Sequence, residues 1–350
     1  MISGTTGELL HRFDTGGAVQ APLTLVSGVV LVPSYDNYVY ALDSSSAALR
    51  WSANVGAFAG GGATPSRDGT VVYIATGAGN VTALLTATGD VLWTEVLASA
   101  FISTPAVSRS GTSLIIGTFD GRALCVSTSD GVLLWNFTTG NLMRTSAAIG
   151  NNGVVYIGSD DQSIYAINET TGDMLWSFDT LDAVRSTPAV DDAYGRIYFG
   201  SDDGTLYALY VNGSLAWGIP CDGMIRASPA LSAAAAVVYV ATTNGTIYAF
   251  NYTGFIVWQY NVGAAVTASP ALSSTGHLIV CSDDGRVYAF GDAMATVTAT
   301  SSPSGSSSMS GSATASSSAS MSPTPSATAL FCSLGGCIGC AQDCTSDSTW

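Results

Sequence analysis

Lysine is missing from this chain of 350 residues: all ten basic residues are arginines, and 25 acidic residues leave a formal charge of −15. A surface of that sign repels a phosphate backbone and offers anionic lipid no purchase, so neither nucleic acid nor a membrane surface is expected as a partner. Charge of either sign is scarce. Only 10% of residues are charged, against roughly 25% in an average soluble protein, while 47% are apolar, a balance that fits sheets covered on both faces by other sheets. No apolar run reaches the roughly 18 residues of a membrane-spanning helix, so membrane insertion is not expected either. The opening Met1-Ile-Ser-Gly-Thr-Thr-Gly also lacks the basic start and apolar stretch of a secretory leader.

What is present is periodic. Trp51, Trp93, Trp135, Trp176, Trp217 and Trp258 are separated by 42, 42, 41, 41 and 41 residues. A unit of that length cannot bury its own apolar surface, so the array implies units stacked on neighbours. Each unit reads as four short strands, as in V-R-S-T-P-A-V, R-I-Y-F-G-S-D-D-G, T-L-Y-A-L and G-x-x-x-W, with β-branched and aromatic runs bounded by D-D-G and N-G turns. Inner strands are expected to start near Thr104, Thr145, Ser186, Ala227 and Ala268, with Pro105, Pro188, Pro229 and Pro270 tolerated at a sheet edge. Tyr40, Tyr165, Tyr207, Tyr248 and Tyr288 occupy one position of the third strand and are read as core.

Seven second strands can be counted, giving an all-β, seven-bladed propeller of four-stranded antiparallel blades over residues 1–291. The seventh unit stops at Phe290 without its Trp strand. Its missing piece is expected at the other end of the chain, where Glu8 to Phe13 would close the ring and His11 would stand in for the tryptophan. Residues 292–330 change character: 20 of the 33 positions from 296 to 328 are Ser or Thr, so this stretch reads as a disordered, O-glycosylated stalk. The last segment, 331–350, carries Cys332, Cys337, Cys340 and Cys344, for which disulfides are favoured over zinc. Cys125 and Cys281 replace small repeat residues and read as buried; Cys221 falls in an inter-blade loop.

Six of the asparagines, Asn80, Asn136, Asn168, Asn212, Asn244 and Asn251, sit in N-x-Ser/Thr acceptor patterns. That excess leads to the expectation of an extracellular or cell-surface glycoprotein whose leader lies upstream of this sequence.

The run A-I-N-E-T-T-G-D-M-L-W from Ala166 to Trp176, with its relatives Ala41 to Trp51 and Ala83 to Trp93, resembles the tryptophan-docking repeat of pyrroloquinoline-quinone (PQQ) enzymes. The resemblance implies that each outer-strand tryptophan docks on the next blade. The same repeat is shared by quinone-dependent alcohol dehydrogenases, by the propeller lipoprotein of bacterial outer-membrane assembly, and by propellers that hold no cofactor, so fold alone does not choose among them. The enzymes, as the resemblance implies, seat PQQ over a tryptophan floor beneath a disulfide between adjacent cysteines, with calcium and a catalytic Asp. No two cysteines are adjacent here, and the repeat uses all six tryptophans of the ring. No cofactor is therefore expected; PQQ and calcium belong only to the alternative of an oxidoreductase.

Arg144, Arg185 and Arg226 recur 41 residues apart, each just before an inner strand, and Asp160, Asp161, Asp202 and Asp203 occupy turns on the same side. Two readings stay open: each Arg pairs with a nearby Asp and fixes the loops, or the guanidiniums receive a protein or a small anionic ligand. The D-D-G turns supply too few oxygens for a dedicated calcium site. The expectation is a monomeric, non-enzymatic binding or scaffolding propeller, with a quinone-dependent oxidoreductase and an outer-membrane assembly-type scaffold as alternatives.

Overall fold

A computed structural model describes residue 1, residues 8–97, 100–101, 103–273 and 276–291, and the backbone of 327–330. It contains seven four-stranded antiparallel sheets, each in simple up-and-down order, and no helix among the described residues: a seven-bladed β-propeller. Blade 4 is representative, with Ala148–Ile149, Val154–Gly158, Ser163–Asn168 and Met174–Asp179 running from the channel to the rim. The two middle strands are buried on both faces, so they read as near-continuous apolar runs. The outer strand buries alternate residues only.

The core lies between blades. Six apolar clusters each join residues of two successive blades, from blades 1 and 2 through to blades 6 and 7. Tryptophan completes each seam. Opposite the Ala of the third strand the outer strand slips by one residue, as at Ala41/Leu42, Ala83/Leu84 and Ala166/Ile167, and the bulge turns the indole toward the neighbouring blade. There Trp51, Trp93, Trp135, Trp176 and Trp217 donate from Nε1 to the carbonyls of Thr86, Thr128, Glu169, Val211 and Tyr252, at 2.9 to 3.2 Å. The receiving turn needs glycine for two reasons: Gly172 has a φ of +77°, and a Cβ there would lie 2.8 Å from the Trp135 ring. Blade 1 has Ala47 at the matching place, also at positive φ, so its seat is shaped for something other than an indole.

The closure differs from the sequence expectation. The fourth strand of the seventh sheet is Ala327–Leu330, paired with Val287–Phe290, in place of residues 8–13. Thr328, not His11, faces Ala289. A sheet edge needs only amides and carbonyls, so side-chain pattern specifies poorly which segment fills it. The N-terminal segment folds on itself instead: the amides of Leu10 and His11 bond the carbonyl of Met1, and Leu9 and Leu10 are exposed. From Phe13 onward it rejoins the repeat on blade 1. Phe13 packs on Tyr40 as Phe178 packs on Tyr207, and the Gly16 amide reaches Asp36 as the Leu181 amide reaches Asp203. Inner strands also begin later than expected, at Ala106, Ala148, Ala189, Ala230 and Ala271. The residues before them are held by side-chain hydrogen bonds instead of ladder pairing: Thr145 and Ser186 to the second strand of their own blade, Thr104, Ser146, Thr187 and Ser228 to the next blade. Apart from Ala327–Leu330, the stalk and the cysteine-rich end, with Cys332, Cys337, Cys340 and Cys344, lie outside the described residues.

Candidate functional site

The loop before each inner strand and the turn between second and third strands meet at one mouth of the channel. The amides of Asp160, Asp202 and Asp283 bond the carbonyls of Leu142, Ala183 and Ala265, which fixes turn against loop in three blades alike. This brings Arg144, Arg185, Arg226, Asp160 and Asp202 together, and they form more than isolated pairs. Arg144 donates from Nε to Asp160 at 2.9 Å; Arg185 bridges Asp160 at 3.0 Å and Asp202 at 3.0 Å; Arg226 meets Asp202 at 3.0 Å. The result is a ladder across blades 4 to 6 in which each carboxylate, about 5% exposed, accepts from two guanidiniums. Three guanidiniums thus share two buried carboxylates.

Asp161 and Asp203 lie apart from the ladder. Each accepts the phenol of its own blade, from Tyr165 and Tyr207, at 2.8 and 2.7 Å, and the amide of Gly140 or Leu181 from the preceding blade. Burial and that neighbouring carboxylate push both phenols up to about 12, so they remain proton donors at any physiological pH. The two acids of the D-D pair thus divide the work: the first binds arginine, the second braces blade to blade. The repeated tyrosines were legible as core, while their hydrogen-bonded tips were not.

Three features escaped the sequence reading. Just inside the mouth runs a chain of hydroxyls: the amides of Gly62, Thr104, Ser146, Thr187 and Ser228 donate to the hydroxyls of Thr104, Ser146, Thr187, Ser228 and Ser269 on successive blades, at 2.8 to 3.1 Å. The regular Ser/Thr before proline was its signal. A second set clamps strand to strand, with Ser103, Thr145 and Ser186 bonded to both amide and carbonyl of Gly117, Gly158 and Gly200. Where the hydroxyl is lost, at Ala227 and Ala268, the glycine is lost too, to Ala241 and Cys281. The third feature is aromatic. At the turn position that holds Asp160, Asp202 and Asp283, blades 1 and 3 carry Tyr35 and Phe119, and Tyr35 stacks on Phe58 at 4.9 Å.

Of the six acceptor asparagines, Asn168, Asn212 and Asn251 hold third-to-fourth-strand turns opposite the mouth, each Oδ1 accepting from the turn that follows. Asn136 is exposed on the rim strand Leu133–Thr138, and Asn80 opens Asn80–Leu85 on the mouth side. Asn244, also on the mouth side, donates its Nδ2 to the Asp222 carbonyl.

Cys125 is buried as expected, and Cys281 is half-buried. Burial pushes the Cys125 thiol up to about 11; burial and the adjacent Asp222 push Cys221 up to about 12. Iodoacetamide at about pH 8 should therefore leave both unmodified in the native protein and alkylate both after denaturation, read by peptide mass spectrometry. Native alkylation of Cys221 at the rate of a free thiol would contradict the assignment.

The repeat tryptophans do not form the floor that the resemblance implies for PQQ. Five of the repeat tryptophans spend Nε1 on the neighbouring blade's backbone, Trp258 stacks on Phe290 in the seam between blades 6 and 7, and none is left to floor the channel. The described cysteines stand singly.

Fold and repeat together define a PQQ-like β-propeller whose blades are sealed by docked tryptophans. The family model described as the β-propeller of the beta-alanine-activating enzyme matches residues 98–350, and the chain belongs to that family. A second model, described as outer membrane protein assembly factor BamB, matches residues 1–151. Among solved structures, BamB from Moraxella catarrhalis is similar in fold, with 20% sequence identity and a TM-score of 0.56, covering 78% of this chain and 94% of that one. No curated protein matches.

Proposed function

We propose that this propeller is a non-enzymatic scaffold at the cell surface or outside the cell, and that it receives a partner protein at the channel mouth. One observation carries the reading: Arg185, Arg226, Asp160 and Asp202 lock one another in a ladder at the mouth, while aromatic side chains lie next to it. Such a mouth suits recognition, where pre-set polar groups and aromatic side chains supply specificity. Likeness to an assembly factor supports a scaffold of that kind. The family model is named for the β-propeller of an enzyme, and in this reading the propeller's part is recognition. The six acceptor asparagines support the extracellular setting, with Asn168, Asn212 and Asn251 on turns opposite the mouth and Asn80 and Asn244 on its side.

The test is placement of a photo-crosslinking residue. Leu181 is 83% exposed on the mouth side, and Thr170 is exposed on the opposite face. A photoreactive phenylalanine at position 181 should give a discrete protein adduct in intact source cells, and one at position 170 should not. Adducts from 170 alone, or from neither, would overturn the reading. Dye-linked alcohol oxidation after incubation with PQQ and calcium would overturn its non-enzymatic part.

A further inference from the structure

The ladder has two ends, and they differ. Arg185, in the middle, uses Nε, Nη1 and Nη2 on two carboxylates, and Arg226 places Nε and Nη2 on Asp202. Arg144, at the other end, donates from Nε alone, and neither of its terminal nitrogens bonds any described residue. Its side chain is 33% exposed. Two contacts fix its orientation: the Asp160 carboxylate at one edge, and the Phe119 ring, whose centroid lies 5.6 Å from the guanidinium carbon. Its outer edge therefore presents two parallel N–H groups from a pre-set position, the geometry that receives a carboxylate bidentately.

Beyond Arg144 the mouth turns aromatic. The turn position that carries Asp in blades 4, 5 and 7 is Phe119 in blade 3, Gly77 in blade 2 and Tyr35 in blade 1. Phe58 lies flat over Gly77, where even a Cβ would come within 2.0 Å of its ring, and stacks on Tyr35 with an interplanar angle of 13°. One half of the mouth is thus an ion ladder, and the other half carries Phe119, Phe58 and Tyr35. Arg144 marks the border.

We propose that Arg144 and Phe119, with the Tyr35–Phe58 pair beyond them, form an anchor for a peptide segment of the partner in which a carboxylate adjoins an aromatic residue. The carboxylate takes the two terminal nitrogens of Arg144, and the aromatic side chain packs against the half-buried Phe119 beside it. The inference rests on the scaffold reading above and specifies the partner's chemistry.

The test uses the full chain and fluorescein-labelled Gly-Ser-Gly-Phe-Glu-Phe in three forms: free acid, terminal amide, and terminal amide with the glutamate replaced by glutamine. Fluorescence anisotropy should show saturable binding of the free acid or of the glutamate amide, which separates a chain terminus from a side chain as the source, and none of the glutamine amide. Arg144→Gln should weaken binding by about tenfold or more, as should Phe119→Leu, while Arg286→Gln, the same charge change on the same face, should leave it unaltered. Arg144→Lys keeps the charge without the fork and should also bind more weakly than wild type. Equal binding by wild type and both Arg144 variants, equal binding of the glutamine amide, or no saturable binding of any form by wild type up to about 1 mM overturns the anchor. If peptide binding fails while position 181 still cross-links, only the anchor falls; if both fail, the scaffold reading falls with it.

Discussion

Trp176→Ala is expected to lower the free energy of unfolding by about 3–5 kcal/mol, the range for deleting a packed tryptophan, as measured by urea denaturation followed by far-ultraviolet circular dichroism. The indole has three attachments. Its Nε1 donates to the Val211 carbonyl at 3.0 Å, its ring lies against Gly213, where a Cβ would sit 2.7 Å away, and its face tilts onto Tyr156 with centroids 5.8 Å apart. Removing it opens the seam between blades 4 and 5 while the sheets themselves stay paired, so the loss belongs to blade-to-blade packing. Trp176→Phe separates the parts: it keeps most of the ring area and gives up the hydrogen bond, and should cost about 1 kcal/mol for that bond plus the void it leaves. A loss below about 1 kcal/mol for the alanine variant would show that the docked tryptophans do not hold the ring together.

The repeat made the ring legible because it states the same packing rule in six of its seven units. Trp, Ala and Gly recur at fixed spacing since the indole, the bulge beside Ala41 or Ala166 and the glycine seat are one device, and a period of that kind survives variation elsewhere. Closure was not legible, for the opposite reason: it happens once, and the backbone pairing that joins Ala327–Leu330 to Val287–Phe290 asks little of its side chains. At the mouth, period again decided what could be read. The arginines and first aspartates repeat, so their meeting could be anticipated, but whether they would pair within a blade or across blades depends on a few ångströms that spacing does not encode. Tyr35, Phe58 and Phe119 were hidden because they depart from the repeat. Those departures set the two halves of the mouth apart, so the residues that distinguish this propeller are the ones its pattern does not predict.

Arg185→Ala is expected to destabilise the protein by about 3 kcal/mol, the low end of the cost of breaking a buried ion pair because the Arg185 side chain keeps 24% exposure. It serves two carboxylates, and without it Asp160 and Asp202, 6% and 5% exposed, each lose a guanidinium in a site that water reaches poorly. Arg144→Ala should cost under about 1 kcal/mol, since that residue is a third exposed and ends the ladder on one contact. Thermal or urea unfolding of the two variants checks the order. A variant that joins Arg144→Gln, Arg185→Met and Arg226→Met with Asp160→Asn and Asp202→Asn removes the buried charges together and should recover part of the loss, because the penalty arises from stranded charges more than from a missing attraction. Equal losses at Arg144 and Arg185 would mean that the ladder is a row of independent surface pairs. The expected inequality makes the two arginines separable in function as well: the central one holds the mouth in shape, and the terminal one is free to be spent on a ligand without risk to the fold.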